Sequence, residues 1–238
     1  MDYRELKIDI YADGADIEKM KEALNSGFVK GFTTNPTLMK KAGVKDYKTF
    51  AKQAVEAIRT LPLSFEVFSD DHDTMEKEAR VLSSFGENVY VKIPVTNTKG
   101  EHSTELIRKL SHDGLKLNVT AVFTKEQAEE VLGALDPKVP SIVSIFAGRI
   151  TNAGVDAEPV MREVSKLCRD HGNSKLLWAS SRELFNVIQA ERSGADIITL
   201  TDDLIRALPT LGKDLYEYSL DTVKMFYNDG QALGYRIL

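Results

Sequence analysis

The sequence predicts a closed (β/α)8 barrel of the TIM type, a single α/β domain over residues 1–238 with an additional C-terminal helix. Three observations lead there. Short apolar runs alternate with amphipathic helical segments about eight times, and no Gly/Pro/Ser-rich linker divides them. The first run is followed by Ala-Asp-Gly-Ala-Asp and not by Gly-x-Gly-x-x-Gly, which argues against the alternative, an open doubly wound sheet. The length of 238 residues suits one domain of this kind.

The strands are expected at 7–12, 30–34, 63–68, 89–95, 116–122, 141–147, 175–179 and 196–200. Helical patterns lie near 15–25, 46–60, 72–84, 103–113, 124–134, 157–171, 182–193 and 202–208. Active-site groups of such barrels sit at the carboxyl ends of the strands, so the polar residues there are the candidates. The first strand runs into Asp13, which could equally cap the helix beginning near Ala15. The second ends in Thr33-Thr34-Asn35; Asn35 before Pro36 is also a common helix start. The third carries Glu66.

The fourth, Val-Tyr-Val-Lys-Ile-Pro-Val, is the centre of the reading. It is β-branched and apolar, as a strand buried on both faces should be, yet Lys92 stands in its middle. An ammonium loses its hydration on burial and rarely goes inside without a reason. One reason is chemical: desolvation favours the neutral amine, which can attack a carbonyl to form a Schiff base. The structural alternative is that Lys92 snorkels to solvent at the strand's end.

The fifth strand supplies Asn118 and Thr120. The sixth supplies Ser144, with Arg149 following, a residue that could instead pair with a surface acid. After the seventh come Ser180 and Arg182. Ser180 lies three residues before Glu183, which fits a capping box. A helix start capped in this way is itself an anion site, and Arg182 would add a guanidinium. A small phosphorylated molecule is therefore the expected ligand. Residues 213–238 form a C-terminal extension, whose segment 213–229 is amphipathic. Leu215, Tyr218, Leu220, Val223, Phe226 and Tyr227 are too many apolar groups to leave in water. They either fold back over the barrel or pack on a neighbouring subunit; we expect the latter.

Composition excludes several classes. Charge is mixed along the chain, with a net −5 and no basic block, so neither nucleic acid nor an anionic membrane surface is expected as a partner. The first residues, MDYRELKIDIYAD, hold no apolar signal core, and no run is long enough to span a bilayer. Cys168 is the only cysteine, so no internal disulfide or cysteine metal cluster can form, and a reducing cytoplasmic setting is expected. Asp70-Asp71-His72-Asp73 reads as a helix start with acids at its positive end and not as a metal site. His102, His112 and His171 are scattered, without ligand partners at helical spacing.

Five motifs carry a family resemblance. Gly-Phe-Thr-Thr-Asn-Pro-Thr-Leu (31–38), Val-Lys-Ile-Pro (91–94), Asn-Val-Thr (118–120), Ile-Phe-Ala-Gly-Arg-Ile (145–150) and Ala-Ser-Ser-Arg (179–182) resemble those of transaldolases. They run in order between about Asp9 and Leu208, and the short chain resembles the small subfamily that also contains fructose-6-phosphate aldolase. The resemblance implies an enzyme without cofactor or metal. It would move a dihydroxyacetone unit from a ketose phosphate (fructose 6-phosphate or sedoheptulose 7-phosphate) to an aldose phosphate (erythrose 4-phosphate or glyceraldehyde 3-phosphate), as in the pentose phosphate pathway.

Under that resemblance Lys92 matches the Schiff-base lysine, Asp13 the acid/base, and Glu66 with Thr120 the pair that holds a water. Thr33, Asn35, Asn118 and Ser144 match residues lining the sugar, and Arg149, Ser180 and Arg182 the phosphate site. Glu66 and Phe146 match the transaldolase pattern, where the aldolase carries Gln and Tyr. Ser181, usually aromatic in the family, and Gly14, often threonine, depart from it. The resemblance further implies a ring-like homo-oligomer, with a decamer as one size. A non-catalytic sugar-phosphate-binding protein is the competing class.

Overall fold

The computed structural model describes residues 3–237; Met1, Asp2 and Leu238, which fall within the expected domain limits 1–238 and 213–238, lie outside the described residues. Eight strands are present: β1 (Asp9–Asp13), β2 (Val29–Thr33), β3 (Leu63–Glu66), β4 (Val89–Pro94), β5 (Leu117–Val122), β6 (Ser141–Ile145), β7 (Ser174–Trp178) and β8 (Ile197–Thr201). They pair in parallel in chain order and β8 closes on β1, so the sheet is a barrel with no free edge.

The helices around it are α1 (Ile17–Asn25), α2 (Pro36–Lys41), α3 (Tyr47–Ala57), α4 (His72–Ser83), α5 (Thr104–His112), α6 (Lys125–Ala134), α7 (Ala147–Asn152), α8 (Glu158–His171), α9 (Phe185–Arg192), α10 (Asp202–Ala207) and α11 (Leu215–Leu233). No helix among the described residues is long and apolar enough to cross a membrane.

Side-chain alternation along each strand separates two cores. Residues such as Phe32, Phe65, Val91, Ile93, Val119, Trp178 and Leu200 belong to the large cluster formed with the helices. A smaller cluster of Tyr11, Ile142, Leu177, Ala179 and Ile197 collects the alternate positions. Gly31 makes room for it, because a Cβ there would stand 2.4 Å from the Tyr11 ring. Two residues further along these strands the same face turns polar: Asp13 follows Tyr11, Thr33 follows Gly31, Ser144 follows Ile142 and Thr199 follows Ile197. An apolar plug thus supports a polar mouth, and the mouth lies where the strands end.

The helix starts correct three sequence expectations. Asp16, not Asp13, caps α1, accepting from the Glu18 and Lys19 amides, which leaves the Asp13 carboxylate for other partners. No capping box joins Ser180 to Glu183. Instead α9 begins at Phe185, and the Asn186 side chain accepts from the Arg182 and Glu183 amides. The short helix α7 was not expected, and α2 was foreshadowed only by the helix start at Asn35-Pro36; each is a single turn and a half and too brief for a periodic signal. The C-terminal helix does not fold back over its own barrel. No residue of α11 is buried, and Leu215 and Phe226 are 81% and 65% exposed.

Candidate active site

At the carboxyl end of the barrel a cavity of about 380 Å3 opens to solvent. Asp13, Thr33, Asn35, Glu66, Lys92, Thr120, Ser144, Phe146, Arg149, Ser180 and Arg182 all line it. Eleven of the twelve site residues expected from sequence therefore converge on one hollow. Asn118 is the exception. It is fully buried beneath the cavity, donating from Nδ2 to Ser64 Oγ at 3.0 Å and accepting from Ser144 Oγ at 2.7 Å. Its amide holds the Ser144 hydroxyl and has no face on the cavity.

Lys92 is 6% exposed, so it does not snorkel. It faces Glu66 across the β3–β4 register, with Nζ 2.9 Å from Glu66 Oε2. A second bond, from Nζ to the Thr34 carbonyl at 2.8 Å, fixes the direction of the amine. The Thr34 carbonyl is free to accept because the chain turns there into Asn35-Pro36. Asn35 caps α2 by accepting from the Leu38 amide, and its Nδ2 points toward Asp13 Oδ2 at 3.5 Å. One side chain thus both caps α2 and lines the cavity.

Asp13 accepts from Thr33 Oγ1 at 2.8 Å. Burial raises its pKa above the ordinary carboxylate range. The positive charge of Lys92 and the Thr33 hydrogen bond oppose that rise, while the negative charge of Glu66 adds to it. A carboxylate so placed is nearer to proton-exchange duty at neutral pH than a solvated one.

Thr120 presents a buried hydroxyl that has no hydrogen-bond partner in the protein. The β5–β6 register shifts between Val119 and Val122, and Ala121 adopts a left-handed φ of 59°. The kink holds Thr120 at the cavity wall with its hydrogen-bonding capacity unused, which a ligand or a bound water can take up.

The rim is cationic. The guanidinium of Arg149 lies 5.6 Å from the centre of the Phe146 ring, and neither Arg149 nor Arg182 has a carboxylate partner among the described residues. With the Asn152 amide turned so that its oxygen faces Arg182, Nε donates to it at 3.2 Å. The loop after β7 is held close to α7: the Gly148 amide donates to the Ala179 carbonyl, and a Cβ on Gly148 would come within 1.6 Å of the Ser180 carbonyl oxygen. Ser180 itself takes a left-handed φ of 64°. Ser181, where the family pattern has an aromatic, is buried and donates to the Thr199 carbonyl at 2.9 Å. Gly14 has open space around it: a Cβ there would meet nothing within 4 Å.

Sequence reasoning missed Thr199 and Thr201, which also line the cavity. Their alternate placement in Ile-Ile-Thr-Leu-Thr was the available signal. The acids of Asp70–Asp73 serve structure: Asp71 caps α4, and Asp70 accepts from the amide and hydroxyl of Thr98. Cys168 is buried, with its thiol pushed up to about 12 by loss of hydration. A larger hollow of about 680 Å3 sits at the opposite end of the barrel. Its charged lining includes the Lys175–Asp9 pair and no buried nucleophile.

Residues 10–237 match the model of the Transaldolase/Fructose-6-phosphate aldolase family. A "Probable transaldolase" of Dehalococcoides mccartyi is 36% identical over 192 residues, 80% of this chain and 85% of that one. Those of Methanococcus maripaludis and Thermoplasma volcanium are 38% and 34% identical, over 83% and 84% of this chain and 88% and 86% of theirs. Among solved structures, a Sinorhizobium meliloti protein in an open loop conformation superposes with a TM-score of 0.57 at 10% identity. It covers 87% of this chain, which spans 55% of that longer protein, and the likeness is one of fold.

Proposed function

The chain belongs to the transaldolase/fructose-6-phosphate aldolase family, and from that premise we propose that it is a transaldolase working through a Schiff base on Lys92. The observation that carries the reading is the buried Lys92 amine, 2.9 Å from Glu66 at the floor of a cavity whose rim holds Arg149 and Arg182. The amine attacks the ketose carbonyl carbon. Glu66 takes the ammonium proton, and the carbinolamine loses water to give an iminium. Asp13 accepts the proton of the hydroxyl two carbons away as the intervening carbon–carbon bond breaks, its electrons passing to the iminium. An aldose phosphate leaves, and a three-carbon enamine stays on Lys92. The acceptor aldehyde is attacked by that enamine, Asp13 returns the proton, and water releases the product.

Arg149, Arg182 and the polar loop at Ser180 suit the phosphate, the bidentate guanidinium being a good match for phosphate oxygens. Glu66 and Phe146 favour transfer over release of free dihydroxyacetone. The Phe146 ring brings no hydroxyl to the cavity, so one donor that could protonate and free the bound unit is missing. Borohydride with fructose 6-phosphate should fix a three-carbon adduct on the peptide bearing Lys92. Turnover by Lys92→Arg, which keeps charge but has no such amine, would refute the mechanism.

A further inference from the structure

Thr199 belongs to none of the roles described so far, yet it touches the acid/base through one intermediate. The Thr33 and Thr199 hydroxyl oxygens are 2.5 Å apart, and Thr33 Oγ1 is 2.8 Å from Asp13 Oδ1. A threonine hydroxyl has a single proton. When Asp13 is ionised it can only accept, so the Thr33 proton goes to Asp13, and the proton between the two threonines must come from Thr199. The direction of the chain is thereby fixed: Thr199 donates to Thr33, which donates to Asp13. It crosses β8, β1 and β2, and β8 comes beside β1 only because the barrel closes there. Ser181 donates to the carbonyl of the same Thr199, which ties the loop carrying Ser180 and Arg182 to this chain.

We infer that Thr199 is a positioning residue for Asp13: its hydroxyl orients and polarises that of Thr33, holding Asp13 Oδ1 in place, while Oδ2, on the side of Asn35, takes the substrate proton. The inference rests on the proposed Schiff-base reading for its catalytic consequence, but the hydrogen-bond chain stands without it. Hydrogen bonds in series strengthen one another, and bonds to the charged form favour that form. The charges acting on Asp13 are those of Lys92 on β4 and Glu66 on β3; Arg149 and Arg182 stand at the rim of the same cavity, and Asp16, Lys19, Glu22, Asp202 and Arg206 line the hollow behind β1. None of them lies in the Thr199–Thr33 chain, so a change at Thr199 leaves them in place.

Thr199→Val keeps the shape and removes the hydroxyl; Thr199→Ser restores the hydroxyl. Two readouts are needed. In carbon-13 NMR of the aspartate carboxyls, assigned with Asp13→Asn, the Asp13 midpoint should move upward in the valine variant and return with serine. In steady-state assays the valine variant should lose about fivefold in kcat, the worth of one hydrogen bond, with KM nearly unchanged and the acidic limb of the rate profile displaced to higher pH. Borohydride adduct formation on Lys92 should persist in it. An unmoved Asp13 midpoint in a folded valine variant, or a serine variant that behaves like valine, overturns the inference. An absent adduct in the unaltered protein would instead overturn the Schiff-base reading, while the NMR shift would still decide the role of Thr199.

Discussion

Replacing Gly148 by alanine should separate the two guanidiniums of the rim, and the size of the effect follows from one distance. Gly148 is in α7 with an ordinary helical backbone, so alanine brings no φ penalty; the whole effect is steric. The added Cβ would lie 1.6 Å from the Ser180 carbonyl oxygen and 3.3 Å from Arg182 Cγ. Relief to ordinary contact requires the α7 backbone and the β7–α9 loop to part by roughly 2 Å. The neighbour is backbone and cannot rotate away, so the loop must shift and carry Ser180 and Arg182 from Arg149. Overpacking of this kind costs about 1–3 kcal/mol, which lowers Tm by about 2–12 °C in a chain of this size. Losing one charged hydrogen bond to the phosphate costs roughly 1.5–3 kcal/mol, or a roughly 10- to 140-fold rise in KM for a sugar phosphate. Steady-state assays with fructose 6-phosphate and with unphosphorylated fructose separate the two effects, since only the first substrate uses the rim. Calorimetry gives Tm. Equal losses on both substrates, or an alanine variant with unchanged KM and Tm, would refute the assignment of this rim to phosphate.

Four further outcomes are expected. Asp13→Asn should lower kcat by about 100- to 10,000-fold. It should also raise Tm at neutral pH: burial lifts the folded pKa of Asp13 above its unfolded value, so stability is lost as pH rises through the folded pKa, and asparagine mimics the protonated form. The gain should vanish below the unfolded value, and a gain independent of pH would contradict the argument. Glu158 is held at about 2 chiefly by hydrogen bonding from Arg192, so its contribution is present above 4.5 and lost as pH falls toward 2; urea titrations across that window should show a flatter pH dependence for Glu158→Gln. Phe146→Tyr with Glu66→Gln should raise glyceraldehyde 3-phosphate formation in the absence of erythrose 4-phosphate, measured with a coupled dehydrogenase. We further propose that the exposed α11 packs on a neighbouring subunit; a chain ending at Gly212 should show a lower mass by light scattering, and an unchanged mass would count against it.

Much of this protein is determined by its sequence alone, because strand and helix periodicities are local. Val89–Val95 is apolar enough to be a buried strand whatever surrounds it, and Lys92 is conspicuous there for the same reason. The polar residues at strand ends could be named since a barrel places those ends together. Tertiary structure decided the rest. Whether an inward residue reaches the cavity or lies under it depends on the stagger of neighbouring strands, which no single strand encodes; Asn118 thus falls beneath Ser144 while Thr120, two residues on, reaches the wall. After β7 the amides of Arg182 and Glu183 are taken by Asn186, from within α9, and not by Ser180, and the close approach of Gly148 to the Ser180 carbonyl bounds the loop. The Thr199–Thr33–Asp13 chain exists only where the last strand meets the first. That pairing joins residues 166 positions apart, and closure of the barrel is the event that brings them within hydrogen-bonding distance.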